Sequence, residues 1–177
     1  MYQRKAGRSV LVEEANLYIE VSTMRVQKCR RRYIYVLEYP QRRETETATG
    51  LGENVSLERA VLTAVERGAG RIKEPVELRI YMGCRYILAP LENGDYEKWE
   101  EKGFQRSKGG EVKNKDLWIK VKRLLDGHSW SGEGNASHPY QKRMVYDLGK
   151  RKEKDERKAE GSAAGTKEAA KKEQKTG

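Results

Sequence analysis

The feature that most constrains this chain is a change of period along it. Leu17, Ile19 and Val21 alternate with Tyr18, Glu20 and Ser22, and the alternation returns from Tyr33 to Tyr39 and again, with Thr at every second position, from Glu44 to Thr49. Such a period of two is the pattern of strands. Gly50, Gly52 and Asn54 read as the break that follows. Ser56 is then a helix N-cap, and Leu57, Ala60, Val61, Ala64, Val65, Ala69 and Ile72 recur at helical spacing up to Pro75. Val76, Leu78, Ile80 and Met82 restore the alternation. Three strands joined by short connections make an antiparallel meander, whereas a strand reached through a helix pairs in parallel. The expected fold is therefore α/β, with a mixed sheet whose first three strands are antiparallel.

The later elements are less uniform. Residues 84–91 read as a short helix, Asn93-Gly94 as a turn, and Asp95 as the start of a helix that carries Trp99. Asn114 is placed to cap a helix whose stripe is Leu117, Trp118, Val121, Leu124 and Leu125. Residues 129–135 are rich in Gly and Ser, so the fifth strand is expected to be poor. Pro139 opens a last helix with Tyr140, Met144 and Leu148 along one side. Residues 1–15 lack periodicity and read as a mobile leader. Residues 16–149 form one domain, and residues 150–177, with no aromatic, Val, Ile or Leu, read as a disordered or transiently helical charged tail.

Charge narrows the partners. The 177 residues hold 37 Lys and Arg against 27 Asp and Glu, a net charge of +10, which favours a polyanion. No apolar run is long enough for a signal peptide core or a membrane span. A cytoplasmic monomer with no membrane partner is expected, with Cys29 and Cys84 reduced. Those thiols and the distant His128 and His138 lack zinc spacing. The glycines at 50, 52, 68 and 70 lack the strand-then-helix context of a phosphate loop.

The stretch WEEKGFQRSKGGEVKNKDLW, from Trp99 to Trp118, sets Lys102, Arg106, Lys108, Lys113 and Lys115 around Gly109-Gly110 and among Trp99, Phe104 and Trp118. Cations interleaved with rings suit a nucleic-acid backbone. The same composition also fits a solvated hairpin or helix pair with its aromatics packed beneath. Trp118 falls on an apolar stripe and reads as core, while Trp99 precedes the basic turn and is free to meet sugar or base.

The run Val112-Lys113-Asn114, with Asp116-Leu117-Trp118 after it, resembles the basic protrusion of type I ribonucleases H, which grips the DNA strand of an RNA/DNA hybrid. The resemblance covers residues 16 to about 148 and is strongest from 54 to 126. It implies a ribonuclease H-like fold: a five-stranded mixed sheet flanked by helices, with a basic protrusion. It also implies Mg²⁺ or Mn²⁺ as cofactor and RNA/DNA hybrid, or another duplex, as partner. Lys102, Lys108, Lys113, Asn114, Lys115, Trp99 and Asn54 become the nucleic-acid-binding residues.

The same resemblance assigns the acidic site. Tyr18 to Thr23 is similar to the family's first strand, which places Glu20 at the first catalytic carboxylate, with Glu for Asp. Val21 stands where a glycine usually follows, and a register two residues away would put Ser22 there instead. Asn54 to Glu58 matches the loop and helix start that supply the second metal-binding carboxylate. Without the resemblance, Glu58 is an acidic residue favouring a helix dipole. His138-Pro139 falls where the family has its mobile His loop, although a His before Pro also serves as a plain helix start. Asp147 is the carboxylate of the last helix available as a fourth ligand.

The third ligand position is where the chain departs. The family reads Thr-Asp-Ser-x-Tyr where this chain has Met82-Gly83-Cys84-Arg85-Tyr86. Two metal ions roughly 4 Å apart need shared carboxylates to activate water and steady the leaving oxygen, and Gly83 offers none. Two functions from different classes follow. One is hydrolysis of the RNA strand with impaired activity, using Glu20, Glu58, Asp147 and His138. The other is an inactive hybrid- or duplex-binding module. A basic protein with a protein partner is the third and plainest alternative.

Overall fold

A computed structural model describes residues 12–134, 137–151, 153–154 and 156–158. Strand β1 (Glu13–Val21) pairs antiparallel with β2 (Cys29–Tyr39), which pairs antiparallel with β3 (Glu44–Val55). Helix α1 (Leu57–Ala69) leads into β4 (Val76–Met82), which pairs in parallel with β1. The sheet order is β3-β2-β1-β4-β5, so β1 is central.

The alternation of β1 sorts its side chains onto two faces. Leu17 and Ile19 enter the larger core with Val61, Leu62, Val65, Leu78 and Trp118, under α1. Tyr18 enters the smaller core with Ile34, Val36, Met144 and Leu148. Met144 and Leu148 belong to a last helix, α5, over residues 141–151, and their spacing matches the expected stripe. The N-cap of α1 is Ser56, whose hydroxyl accepts from the Arg59 amide at 3.1 Å.

After β4 the chain forms a 3-10 turn over Arg85–Leu88, then α2 (Ala89–Glu92), α3 (Asp95–Glu101) and α4 (Lys115–Leu125). Strand β5 (Ser129–Glu133) does form, pairing in parallel with β4 at the sheet edge. It buries only Gly132, consistent with its thin apolar content.

Two expectations are corrected. Glu13, Glu14 and Ala15 belong to β1 rather than to a leader, because Ala15 is fully buried and pairs beside Leu78. The expected leader's residues 1–11 lie outside the described residues. Strand β3 runs through Gly50 and Gly52 instead of stopping there. A Cβ at Gly50 would lie 2.1 Å from the Tyr33 ring, so the glycine is what lets that ring cross the strand. Residues 151, 153–154 and 156–158 are helical and exposed, and the tail from 159 onward lies outside the described residues.

Trp118 is 1 % exposed and meets Trp99 edge-on, with ring centroids 5.5 Å apart. Deleting so large a buried side chain leaves a cavity between α4 and the sheet. Trp118→Ala is expected to cost about 3–5 kcal/mol of stability, read as a lower denaturant midpoint in chemical unfolding.

Candidate nucleic-acid interface

The interface is built around α1, the β1–β2 connection and the segment between α3 and α4. That segment folds back on itself: Gln105 bridges Glu111, and the turn passes through Gly109 and Gly110 at φ of 88° and 80°. Those angles belong to the left-handed region, which glycine adopts without strain. Phe104 and Val112 bury their side chains beneath, so the hairpin stands on the core while Lys102, Lys108 and Lys113 point to solvent. Lys115 is tied more closely, to Glu111 at 2.7 Å and over the Phe104 ring at 5.4 Å.

Between this protrusion and the sheet lies a cleft of about 650 Å³. Lys113, Asn114, Glu58, Lys28, Tyr86 and Val26 line it. Of these, the expected residues Glu58, Lys113 and Asn114 do come together. Tyr86, Lys28 and Val26 were not anticipated as site residues. The Tyr86 ring is 66 % exposed in a turn whose neighbours Ile87 and Leu88 are buried. Nothing in the local sequence marks that ring as open: its exposure, and its nearness to Lys28 and Lys113, come from the fold.

Asn114 holds the N-cap position of α4 in a left-handed conformation, but its side chain caps nothing. Its amide instead donates to Glu58 Oε2 at 2.5 Å, while its oxygen accepts from Arg59 at 3.2 Å. Arg59 also clasps Asp116 at 3.0 and 2.9 Å. This ties the start of α4 to the start of α1. Trp99 is half-buried against Trp118, and Asn54 is exposed at φ 50° outside the cleft.

The acidic residues are placed as follows. Register pairs Ile19 with Met82 in parallel, so residue 83 stands in step with Glu20 where β4 ends. Glu20 Oε1 lies 3.3 Å from His138 Nε2 and accepts from Gln141 Nε2 at 3.2 Å. Asp147 faces a different place, a small recess with Thr45 and Thr47, and lies 3.9 Å from Arg143. The turn of α5 that brings Gln141 to Glu20 carries Asp147 toward β3. Among the described residues no three His, Cys, Asp or Glu side chains come close enough to share a metal ion. The expected set of Glu20, Glu58 and Asp147 is thus not assembled, and with Gly83 contributing no donor these residues do not fit a two-metal centre.

Cys84 does not compensate. It is buried, burial pushes its thiol up to about 11, and Mg²⁺ and Mn²⁺ prefer oxygen donors to sulfur.

His138 is held by packing. It is 8 % exposed, stacks on Tyr18 at 4.8 Å, and its Nδ1 has no partner among the described residues. The neighbouring Tyr140 donates to Glu38 Oε1 at 2.7 Å, and Tyr18 and Asn16 donate to Glu38 Oε2 at 2.8 and 3.1 Å. Burial works to raise the Glu38 pKa, but the three donors outweigh it and hold the carboxyl below its ordinary value.

The described residues contain no helix long and apolar enough to cross a membrane. No model of a known protein family matches the chain. Curated proteins do. A ribonuclease H of Thermoanaerobacter sp. (strain X514) is 28% identical over 95 residues, covering 52% of this chain and 61% of that protein. One from Caldicellulosiruptor saccharolyticus is 30% identical over 89 residues, covering 50% of this chain and 61% of its own. The matched segments therefore span about three-fifths of the relatives' length.

Among solved structures, a type 1 ribonuclease H with the type 2 active-site motif superposes with a TM-score of 0.59 at 16% identity, covering 79% of this chain and 72% of that one. A foamy viral protease-reverse transcriptase solved with RNA/DNA hybrid gives 0.53 at 14% identity, covering 82% of this chain and 20% of that one. At such identities the likeness is one of fold, and the fold is ribonuclease H-like.

The Glu38 network generates a pH dependence with a definite sign. A carboxyl whose folded pKa is depressed adds stability that is fully present above the ordinary glutamate value of about 4.3 and is lost as pH falls through the folded value. Glu38→Gln is therefore expected to flatten the acid limb of stability against pH, measured by unfolding between neutral and acidic pH.

Proposed function

We propose that the chain, which has a ribonuclease H-like fold and is similar in sequence to curated ribonucleases H, binds RNA/DNA hybrid through its protrusion and cleft, and that cleavage of the RNA strand is severely impaired or lost. The observation that carries this reading is the contrast between the two halves of the site. Lys28, Lys113, Asn114 and the open Tyr86 ring share one cleft, whereas among the described residues no third carboxylate joins Glu20 and Glu58. Cations at the rim draw in phosphates, and an exposed ring offers a stacking surface to sugar or base.

The chain's own residues do three things in this reading. Lys102, Lys108 and Lys113 neutralise backbone charge. Asn114 and Glu58, hydrogen-bonded together, shape the wall of the cleft. His138 and Gln141 occupy Glu20, which keeps that carboxylate partnered inside the fold rather than offered to a cation. Residual hydrolysis is the second reading, favoured by the retention of Glu20 and Glu58. We place the chain in the cytoplasm as a monomer.

Binding of a labelled hybrid should weaken steeply with salt. Replacing Lys108, Lys113 and Lys115 together by Ala is expected to flatten the slope of log affinity against log salt by about two or three units, and an unchanged slope removes the protrusion from the interface. Cleavage is tested at residue 83. Gly83→Asp is expected to raise divalent-dependent cleavage by about tenfold or more, and Glu58→Gln should abolish the gain. If Gly83→Asp folds and binds hybrid yet cuts nothing, the purely binding reading stands.

A further inference from the structure

Helix α5 has a side that the domain does not use. It packs on the sheet through Met144 and Leu148, on the face opposite to α1. At 3.6 residues per turn, Tyr146 points away from that pair, and its ring is 58 % exposed. Lys142, Lys150 and Lys154 stand at helical spacing on either side of it, Arg157 falls on the same outer side, and all four are exposed. The row runs on past Met144 and Leu148 because residues 153–154 and 156–158 are helical as well.

Charge is sorted around this helix. Asp147 turns to the recess with Thr45 and Thr47, beside Arg143, and Glu156 lines the recess that holds Arg25 and Arg32. That leaves Glu153 as the one acid on the outer side among the described residues. Lys150 Nζ lies over the Tyr146 ring, 4.8 Å from its centre. Lysines alone would make an ordinary solvated face. An open ring in the middle of the row, with the acids turned elsewhere, is what points to a ligand.

We propose that the outer face of α5, from Lys142 to Arg157, binds single-stranded nucleic acid at a site separate from the cleft. A ring among cations is the arrangement that holds an unpaired strand, with a base stacked on the ring and phosphates on the lysines. A duplex keeps its base faces stacked inside, and the major groove of an A-like hybrid is too narrow for this face to enter. A membrane surface needs a broad apolar face. Here only Val145 stands exposed beside Tyr146, and Met144 and Leu148 are committed to the core. From Lys142 to Arg157 the row extends about 22 Å at 1.5 Å per residue, which spans a few nucleotides. The cleft opens at the N-terminus of α1, on the other side of the sheet. An unpaired strand on α5 therefore does not compete with a hybrid in the cleft, and the α5 site does not depend on hybrid binding.

The test measures binding of the full chain to a labelled single-stranded DNA and to a blunt RNA/DNA hybrid. Tyr146→Ala is expected to weaken the single strand by about tenfold, the loss of one stacked base, and to leave the hybrid unchanged. Lys142→Gln with Lys150→Gln is expected to flatten the single strand's salt slope by about one to one and a half units, at roughly 0.7 per phosphate, again without moving the hybrid's. A strand carrying bromodeoxyuridine should photocross-link to the peptide that contains Tyr146. These side chains are exposed, so the variants keep the far-ultraviolet circular dichroism of the native chain. A single strand whose affinity survives Tyr146→Ala, an equal loss on hybrid and single strand, or cross-links confined to the protrusion and cleft overturns the α5 site while hybrid binding stands. A loss on double-stranded DNA in place of single strand overturns it as well, in favour of a helix seated in a major groove. A chain that holds single strand on α5 but fails to bind hybrid leaves this site standing and overturns the hybrid reading.

Discussion

The parallel pairing of β1 with β4 is the constraint on which the rest of the structure depends. It places β1 in the middle of the sheet, with a neighbour on each edge and a buried side chain on each face. A strand so enclosed must be apolar in both directions, and Leu17, Tyr18 and Ile19 supply that. Its ends are where polarity can return. Glu20 appears at one end, in step with residue 83, because the register of the parallel pair brings the ends of β1 and β4 together. The location of the acidic residues is thus a property of the pairing, while the chemistry there depends on which side chains stand at those positions.

Arg31 solves a different problem in an unusual way. A fully buried guanidinium without a carboxylate is costly unless its donors are satisfied, and here four backbone carbonyls satisfy them. Three of those carbonyls, of Thr23, Arg25 and Gln27, belong to an irregular connection that offers them no strand partner. Charge and connection therefore need one another: the side chain gains acceptors, and the backbone gains donors that a loop cannot find in a sheet.

Much of this was legible in the sequence because most elements have a clean period. The meander, α1, β4 and the stripe of α4 follow from spacing alone. What escaped did so for local reasons. Arg31 reads as one more cation in a basic turn, yet the alternation that buries Tyr33, Tyr35 and Leu37 also points position 31 inward. Gly50 and Gly52 read as breakers because propensity does not see the Tyr33 ring that needs the space at Gly50. Asn114 has the residue type and position of a cap, but its side chain turns to Glu58 and Arg59, a choice made by contacts more than fifty positions away in the chain. Asp147 was singled out as a carboxylate available in its helix, and helix rotation, which composition does not fix, directs it toward β3.

The proposed combination of a depleted acidic side and a basic grip is consistent electrostatically. A cluster of carboxylates beside a phosphate backbone repels it, and metal ions normally remove that repulsion as well as driving the chemistry. With Gly83 in the third position and Glu20 already partnered by Gln141 and His138, less negative charge faces the cleft. The remaining acid, Glu58, is hydrogen-bonded to Asn114 and lies in the same cleft as Lys113 and Lys28. Such a surface attracts a duplex without first needing a cation to neutralise it. In the proposed reading, glycine in place of a third carboxylate costs catalytic precision but also removes charge that would make binding depend on metal, so grip and cutting separate along the boundary between protrusion and sheet end.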